Sequence, residues 1–514
     1  MQRRDFLADI AAYSVLCAGV PNIWRVTTTP RLADDPFTLG VASGDPTANS
    51  AMIWTRLVPK LYEPDGGLDG VKVVVGWEVA EDEQFAKIVK HGRYTTVPEL
   101  GNSAHVDVTG LEPDHWYFYR FTLAAGPSPV GRLRTTPADG AQTPLKFGFV
   151  SCQHYESGLF TAYDHLSREG KLDLVTHLGD YIYEYGPTPG RPRRFATPEC
   201  QTLDQYRYRY GQTKSDKMLQ AAHHAAPWLL TWDDHEVDNN YAGVVGENDM
   251  ESEEQMHERR KAAYQAWWEH QPVRVPRAKS WGDLNIVRTM QWGALAKFHV
   301  LDTRQYRSDQ ACGDNNQDVP CGDWADPART MMGPWQEKWL DDGMATSKQR
   351  WQVLANQVRL APWDEKIGPG KRVHQDAWSG YPAASARLFK TIANRAPNRT
   401  VAITGDIHSN WVNEIRSDYD RGDAKTIGAE FIGTSISSDG DGMEAHPNWD
   451  AAHRAENPHC LWHNARRGYV MCDVTADEWK TSYRTVPFVS KPDAPLQTPA
   501  QFIVRHGRPG IEKV

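Results

Sequence analysis

The sequence predicts an α/β protein in which two packed sheets carry helices on their outer faces, preceded by a small all-β domain. Residues 36–137 contain short apolar strands broken by Gly, Pro and Asp turns, which is typical of a β-sandwich. Strand and helix patterns then alternate over residues 143–490, as expected for sheets covered by helices. In such an αββα arrangement, neighbouring strands end along one edge, where open α/β sheets bind ligands.

The first domain is predicted to contain strands over residues 51–57, 71–80 and 116–123. The turn from Leu111 to Tyr117 resembles the tyrosine corner of fibronectin type III-like domains, in which the tyrosine hydroxyl hydrogen-bonds back across the turn. We find no group of catalytic side chains in this domain. It is therefore expected to have a structural role or to act as a lid.

The second domain is predicted to contain four helices and one hairpin. Acidic residues begin the strongest helix, residues 251–270, where the helix dipole favours them. The remaining helices are predicted over residues 158–169, 334–342 and 383–393, and the hairpin joins residues 287–290 to residues 294–301. Residues 491–514 are rich in Pro, Gly and charge and are interpreted as a C-terminal tail or surface wrap.

Residues 1–33 are interpreted as a twin-arginine export signal. Arg3 and Arg4 lie at the extreme N-terminus and precede Phe6, Leu7 and a weakly apolar stretch. An ordinary basic helix start is the alternative. The signal predicts a secreted or periplasmic protein that passes through the twin-arginine export machinery, which carries folded proteins together with their cofactors.

The composition is ordinary for a folded protein, with 24% charged and 40% hydrophobic residues among 514. The net charge of -9 argues against general nucleic-acid affinity. An anionic substrate would need local positive charge, which bound cations can supply. Cys312 and Cys321 flank a Gly/Asp/Asn-rich loop and can form a disulfide in an oxidising compartment.

Four apolar strand segments are each followed by side chains that bind metals or transfer protons. The segments are residues 145–150, 174–178, 228–232 and 400–404. If these strands lie side by side, the side chains that follow them converge on one part of the sheet edge. The converging residues are Cys152, Asp180, Tyr183, Asp234, His235, Asp406 and His408.

This mixture of donors indicates more than one metal. Thiolate and phenolate favour a transition metal such as iron, whereas carboxylate and amide oxygens suit Ca²⁺, Mg²⁺ or Mn²⁺. Asp180 can bridge two ions through its two oxygens, as in sites that hold both sides of a phosphoryl displacement. His235 can donate a proton to a leaving oxygen or form a hydrogen bond to the phosphoryl group. Arg304 is placed to bind a phosphate oxygen, and Arg207 is a weaker candidate for that contact.

Some of these residues also have a purely structural interpretation. Taken alone, Cys152 is more often a buried thiol and Tyr183 a packing residue, and residues 233–236 can form a solvated acidic turn. Four matching strand ends argue against coincidence. Asn239 is a candidate metal ligand, although the same residue can simply turn the chain. A non-catalytic binding protein with a structural metal site is the alternative from another functional class.

Five motifs carry a family resemblance: Ser151-Cys152-Gln153, the run from His177 to Glu184, the run from Trp232 to Val237, the run from Leu301 to Arg307, and Gly405-Asp406-Ile407-His408. As a set they resemble the PhoD-type alkaline phosphatases of the metallophosphoesterase superfamily. The resemblance covers essentially the whole chain. The spacing of Gly179, Asp180 and Tyr183 is also similar to a motif of purple acid phosphatases.

The resemblance implies a secreted enzyme that hydrolyses phosphate monoesters and diesters at alkaline pH through metal-activated water, for phosphate scavenging. It implies one Fe³⁺ and two Ca²⁺ ions. Cys152, Asp180 and Tyr183 would hold the iron, and Asp180 would be shared with calcium. Asp406 and His408 would close the cluster, and Asp234 replaces the asparagine usual in the family. A phospholipase D-like phosphodiesterase acting on phospholipid head groups is the alternative.

Overall fold

The computed structural model describes residues 34–63, 65–247 and 251–514. The predicted export signal, residues 1–33, lies outside the described residues. Within the described part of the chain, every helix is too short or too polar to cross a membrane.

The N-terminal domain is all-β, as predicted. One antiparallel sheet contains β1, β2 and β5, and the facing sheet contains β4, β3 and β6, with β7 and β8 also paired to β6. The hydroxyl of Tyr117 accepts a hydrogen bond from the N–H of Glu112 at 3.0 Å, which confirms the tyrosine corner. The strands are β1 (Val41–Gly44), β2 (Ser50–Arg56), β3 (Val73–Ala80), β4 (Ile88–Thr96), β5 (Ser103–Thr109), β6 (Trp116–Leu123), β7 (Gly126–Pro127) and β8 (Gly131–Arg134).

The second domain contains two sheets with helices on their outer faces. Its strands are β9 (Leu145–Val150), β10 (Leu174–His177), β11 (Trp228–Leu230), β12 (Arg288–Trp292), β13 (Ala296–Val300), β14 (Asn316–Val319), β15 (Trp351–Asn356), β16 (Lys371–His374), β17 (Thr400–Thr404), β18 (Asn410–Arg416), β19 (Thr426–Ile432), β20 (Gly442–Met443), β21 (Cys460–Val474), β22 (Glu478–Val486), β23 (Gln497–Arg505) and β24 (Glu512–Lys513). Its helices are α1 (Thr161–Ser167), α2 (Leu203–Lys214), α3 (Lys217–Ala225), α4 (Glu253–His270), α5 (Gly333–Ala345), α6 (Pro382–Arg395) and α7 (Ala451–Glu456).

The two sheets pack face to face around one apolar core. The first has the order β11-β10-β9-β21-β22-β23-β24, and the second has the order β12-β13-β15-β17-β19-β18-β21. Phe149 of the first sheet and Phe298 and Phe431 of the second are fully buried between them. Helices α1–α4 cover the first sheet and α5 and α6 cover the second, which confirms the αββα fold.

Local sequence signals account for the helix boundaries that were predicted well. Helix α4 begins after Ser252, whose side chain accepts from the N–H of Gln255 while the Gln255 side chain accepts from the N–H of Ser252. Helices α5 and α6 each carry proline in their first turn. Helix α1 is shorter than predicted and begins at Thr161, after a short 3-10 turn over Tyr155–Ser157.

The N-terminal domain is joined to the second domain through the first sheet. Gly44 of β1 pairs in parallel with Trp228 of β11. The indole of Trp54 donates to the backbone oxygen of Glu269 in α4 at 2.9 Å. The domain is thus fixed against the helical layer and the sheet, which supports a structural role.

The prediction of a C-terminal tail over residues 491–514 is wrong in its larger part. Strand β23 pairs antiparallel with β22, and β24 pairs with β23. Phe502 and Val504 are buried in the core between the sheets. The period-two alternation of these residues was obscured by the Pro, Gly and charged residues that flank it. The predicted disulfide between Cys312 and Cys321 is confirmed.

Replacing Phe502 by Ala is expected to lower the free energy of unfolding by about 3–5 kcal/mol, because it leaves a cavity between the sheets. Urea unfolding followed by tryptophan fluorescence measures this change. The matched control is Ile503→Ala, on the half-buried opposite face of the same strand. Equal effects of the two substitutions would show that β23 does not belong to the core.

Buried histidines predict a loss of stability in acid. His299 is fully buried, and burial lowers its pKa to about 4 from 6.5. Because the folded-state pKa lies below the unfolded value, the neutral ring stabilises the fold above pH 6.5, and this contribution is lost as the pH falls toward 4. Between pH 7.5 and 5 the loss is about 2 kcal/mol, from about 1.4 kcal/mol per pKa unit.

The expected result is a smaller decrease in stability between pH 7.5 and pH 5 for His299→Gln than for the parent protein. Urea unfolding of both proteins at the two pH values measures it. The comparison at pH 7.5 gives the pH-independent effect of the substitution. Parallel pH dependences would contradict the assignment to His299.

Candidate metal centre

The candidate site lies where neighbouring parallel strands of both sheets end. Cys152, Asp180 and Asp234 follow β9, β10 and β11, which are adjacent in the first sheet. Asp406 follows β17 of the second sheet. These strand ends border a cleft of about 430 Å³, whose lining includes Asp180, Asp234 and Asp406.

Several site residues leave their strands in a left-handed backbone conformation. The φ angle is 59° at Cys152, 56° at Asp180, 69° at Asp406 and 48° at His408. Such conformations are uncommon for residues with a side chain and persist where the surroundings hold them, often at functional sites. Gly179, at φ 117°, passes so close to the loop after β11 that a Cβ would lie 2.4 Å from a neighbouring side-chain carbon.

A first cluster combines a thiol, a carboxylate and an imidazole. One ligand atom from each of Cys152, Asp180 and His408 lies within 4.8 Å of the others. The hydroxyl of Tyr183 donates to Asp180 Oδ2 at 2.9 Å and lies 3.0 Å from His408 Nε2. Ser438 donates to the same hydroxyl at 2.8 Å. The structure therefore brings together the residues predicted to hold iron, and adds Ser438.

A second cluster shares Asp180 with the first. Ligand atoms of Asp180, Asp234 and His235 lie within 4.8 Å of one another. Within the described part of the chain, Asp180 Oδ1 and Asp234 Oδ1 are buried without a hydrogen-bond partner. Buried carboxylate oxygens require such partners or a cation, because their desolvation is otherwise uncompensated.

The electrostatics of the site call for added positive charge. Burial, followed by the neighbouring Asp234, raises the pKa of Asp180 well above its usual range. Burial and then Asp180 also raise the pKa of Cys152 and of Tyr183. Burial and the nearby Asp376 raise the pKa of Asp406 to about 7. Metal cations fit this donor set, since they would hold the charged forms of these groups.

Glu236 anchors two of the converging loops and was not identified from the sequence. Its carboxylate accepts hydrogen bonds from the backbone N–H groups of Asp180 at 3.0 Å, Tyr181 at 2.7 Å and Asp233 at 2.8 Å. This single buried side chain therefore fixes the loop after β10 against the loop after β11. The sequence signal that could have identified Glu236 is its position within the motif from Trp232 to Val237.

Glu184 positions the histidine of the second cluster. Its carboxylate lies 2.9 Å from His235 Nδ1 and also accepts the N–H of Asn239 at 2.9 Å. Burial alone would lower the pKa of His235, but Glu184 and Asp234 together raise it well above its ordinary value. His235 lines the cleft with Nδ1 engaged, so its Nε2 is the ring nitrogen left for a ligand or substrate.

Asn239 lines the cleft, but its side chain already has a partner. Its amide nitrogen donates to Glu247 Oε1 at 2.7 Å. The side-chain oxygen is the atom that can face a cation.

The predicted contact of Arg304 with a phosphate oxygen is contradicted by its position. Arg304 is fully buried and does not line the cleft. Its Nε donates to Asp233, and its two terminal nitrogens donate to Asp376 at 2.8 and 2.9 Å. Nη2 also lies 3.6 Å from Asp234 Oδ1. Arg304 therefore orients the second cluster from beneath. Asp376 lies in an irregular loop, where no sequence pattern indicated it.

Arg207 also lies away from the cleft. Its guanidinium donates to both carboxylate oxygens of Glu269 at 2.7 Å, at the junction with the N-terminal domain. The arginine that does line the cleft is Arg359, three residues after β15. The apolar strand Trp351–Asn356 immediately before it was the signal that could have identified it.

Replacing Glu236 by Gln is expected to reduce metal retention, because the amide group of glutamine cannot accept all three N–H groups and Asp180 shifts. The expected decrease in metal affinity is about 10- to 100-fold. Metal content after dialysis against a graded series of chelator concentrations measures it. Glu254→Gln, on the exposed first turn of α4, is the control. Unchanged retention in Glu236→Gln would contradict this positioning role.

Comparison with known families matches both domains. Residues 147–483 match the PhoD-like phosphatase family, and residues 24–137 match the PhoD-like phosphatase N-terminal domain. The first match covers more than half of the chain.

Known proteins and structures agree with this match. The chain is 43% identical over 523 residues to alkaline phosphatase D of Bacillus subtilis (strain 168), covering 100% of this chain and 89% of the relative. It superposes on the solved structure of PhoD with a TM-score of 0.91 and 45% identity, covering 94% and 93% of the two chains. A purple acid phosphatase from yellow lupin (Lupinus luteus) seeds is similar in fold, with a TM-score of 0.54, 11% identity and coverage of 91% and 73%.

Proposed function

The chain belongs to the PhoD-like phosphatase family and is a phosphoric ester hydrolase, and we propose that it cleaves both monoesters and diesters with a mixed iron and calcium centre. One observation carries the proposal: Asp180 is shared by two clusters of donors. Asp180 and Asp234 line the cleft, and each has a buried carboxylate oxygen without a hydrogen-bond partner among the described residues. A shared carboxylate is the feature that a site with two or more metals requires.

The donor types divide the centre between the proposed metals. Cys152, Tyr183, His408 and Asp180 would hold Fe³⁺, because thiolate, phenolate and imidazole suit a transition metal. When bound, the ions supply positive charge for the phosphoryl oxygens and an activated water. The two proposed Ca²⁺ ions would take oxygen ligands from Asp180, Asp234, Asn239 and Asp406.

His235 is proposed to protonate the leaving oxygen. Its Nδ1 is held by Glu184 at 2.9 Å, which leaves Nε2 as the ring nitrogen available to a substrate in the cleft. Against the effect of burial, Glu184 and Asp234 raise the pKa of the ring well above its ordinary value, which favours the protonated form that a general acid requires. Arg304 and the N–H of Asn240 hold Asp234 in place, the latter by a 2.8 Å hydrogen bond to Oδ2.

We further propose that the protein is exported through the twin-arginine machinery and recovers phosphate from esters outside the cytoplasm. The arginine pair at residues 3 and 4 supports this proposal. A cofactor-loaded, folded enzyme is a cargo that this route accepts.

Hydrolysis of p-nitrophenyl phosphate and bis-p-nitrophenyl phosphate at alkaline pH is expected, and a calcium chelator should abolish it. Asp180→Asn should lower kcat for both substrates by at least about 100-fold, since the shared ligand is lost. Asp342→Asn, on the exposed face of α5, is the matched control and should retain full activity. Full activity of Asp180→Asn would overturn the site assignment.

The same preparations separate the remaining alternatives. Metal analysis of the active protein is expected to find iron, and an iron-free active enzyme would overturn the iron assignment. A strong preference for a choline phospholipid over bis-p-nitrophenyl phosphate would favour the phospholipase D-like alternative. Metal-loaded, folded protein without turnover of any ester would favour a binding protein.

A further inference from the structure

Beyond the metal clusters, the cleft continues along a wall that the proposed hydrolysis does not use. Arg359, Trp363, Trp411 and His463 form this wall, which we call the distal wall. The rings of Trp363 and Trp411 are 4.8 Å apart at 64°, and those of Trp411 and His463 are 4.4 Å apart at 63°. All four side chains are less than a tenth exposed.

Arg359 lacks the partners that a buried arginine normally has. It is 7% exposed, and among the residues that the structure describes its guanidinium has no ion pair and no hydrogen bond. The contact it makes is with the face of Trp411, whose ring centre lies 5.5 Å from Cζ. Buried arginines are almost always paired with anions, as Arg304 is with three carboxylates. The pairing of Arg359 is therefore left for an anion in the cleft.

His463 adds hydrogen-bonding capacity without a partner. It is 5% exposed, and within the described part of the chain neither ring nitrogen has a hydrogen-bond partner. Burial lowers its pKa to about 3, so the ring is neutral and offers one donor and one acceptor. A buried imidazole that lines a cleft without partners is typical of a ligand site.

The distal wall begins close to the metal centre. Arg359 follows β15, and β15 pairs in parallel with β17, which leads directly to Asp406. Ile407 and Ser409, which line the cleft, come from the same loop, and the hydroxyl of Ser409 accepts from the Trp411 indole at 2.8 Å. A substrate held at the metal centre would thus lie beside this wall.

We propose that the distal wall is a leaving-group subsite for an ester whose alcohol portion carries a second anionic group, a carboxylate or phosphate. Arg359 would pair with that group, His463 would hydrogen-bond to it, and the tryptophan faces would cover the ring or carbon chain between the two anions. This inference rests on the proposed phosphoesterase activity and adds a substrate class to it. Esters of neutral alcohols would still be cleaved, without the contribution of the wall.

The first experiment compares matched substrates on the unmodified, metal-loaded protein. The pairs are 4-carboxyphenyl phosphate with 4-carbamoylphenyl phosphate, and their homologues with one CH₂ group between ring and carbonyl. Within each pair, size is preserved and charge differs. The carboxylate is expected to have a KM lower by about 10- to 100-fold in at least one pair, the effect of one charged hydrogen-bonded contact. Equal KM values in both pairs would overturn the proposal.

The second experiment assigns the effect to Arg359. In Arg359→Gln the preference for the carboxylate should disappear, while kcat and KM for p-nitrophenyl phosphate should stay within about twofold of the parent. Arg395→Gln, on the exposed end of α6, is the control and should keep the preference. An equal loss of turnover on all substrates would show that Arg359 contacts the transferred phosphoryl group, and it would overturn the proposal of a leaving-group subsite.

Two further measurements keep the test decisive if Arg359→Gln does not fold. Arg359→Lys keeps the charge but not the planar fork, and it should retain only part of the preference. Calorimetric binding of 4-carboxyphenylphosphonate and its amide to the parent protein should show the same ratio without turnover. Equal binding of the two would overturn the proposal. Absence of p-nitrophenyl phosphate turnover in the parent protein would instead contradict the proposed function.

Discussion

Concentrated negative charge at the ends of the strands is the constraint on which the rest of the site depends. Asp180, Asp233, Asp234 and Glu236 are all buried within a few residues of the same sheet edge. Neutral packing cannot stabilise such a group, because each ionised carboxylate repels the next in a poorly solvated interior. The surroundings compensate with oriented N–H groups and with Arg304. Among the described residues, Asp180 Oδ1 and Asp234 Oδ1 are left without a hydrogen-bond partner, and both side chains line the cleft.

This compensation is built in layers around the site. The innermost layer consists of the donors that can hold metals, and Glu236, Glu184, Ser438 and Arg304 orient those donors from behind. The sheets lie behind both layers. Left-handed backbone at Cys152 and Asp180 is maintained because it is embedded in these contacts. The distal wall differs, since Arg359 Nε and both ring nitrogens of His463 have no hydrogen-bond partner among the residues that the structure describes.

The sequence predicted the features that depend on neighbouring residues along the chain. Apolar segments that stop at polar residues located the strand ends, and paired patterns of strand and helix gave the αββα fold. The position of Arg304 after a strand predicts a polar residue at the strand ends. The orientation of its guanidinium, however, depends on a hydrogen bond to Asp376, which comes from a loop distant in the sequence. Strand β23 was missed because its Phe502 and Val504 are flanked by residues typical of a tail. Glu236 lies within the motif from Trp232 to Val237, yet its three backbone partners become apparent only in three dimensions.

The pairing of β9 with β21 has a consequence for how the protein is made. Phe149, just before the strand end that carries Cys152, pairs with Val470, so the strand that leads to the site pairs with a segment that comes much later in the chain. Such long-range pairing is slow, and it prevents the site from forming on a partly synthesised chain. A chain that has not yet reached β21 therefore cannot complete the arrangement of donors at the end of β9. A formed site would thus report that synthesis has passed β21, far beyond the residues that supply the donors.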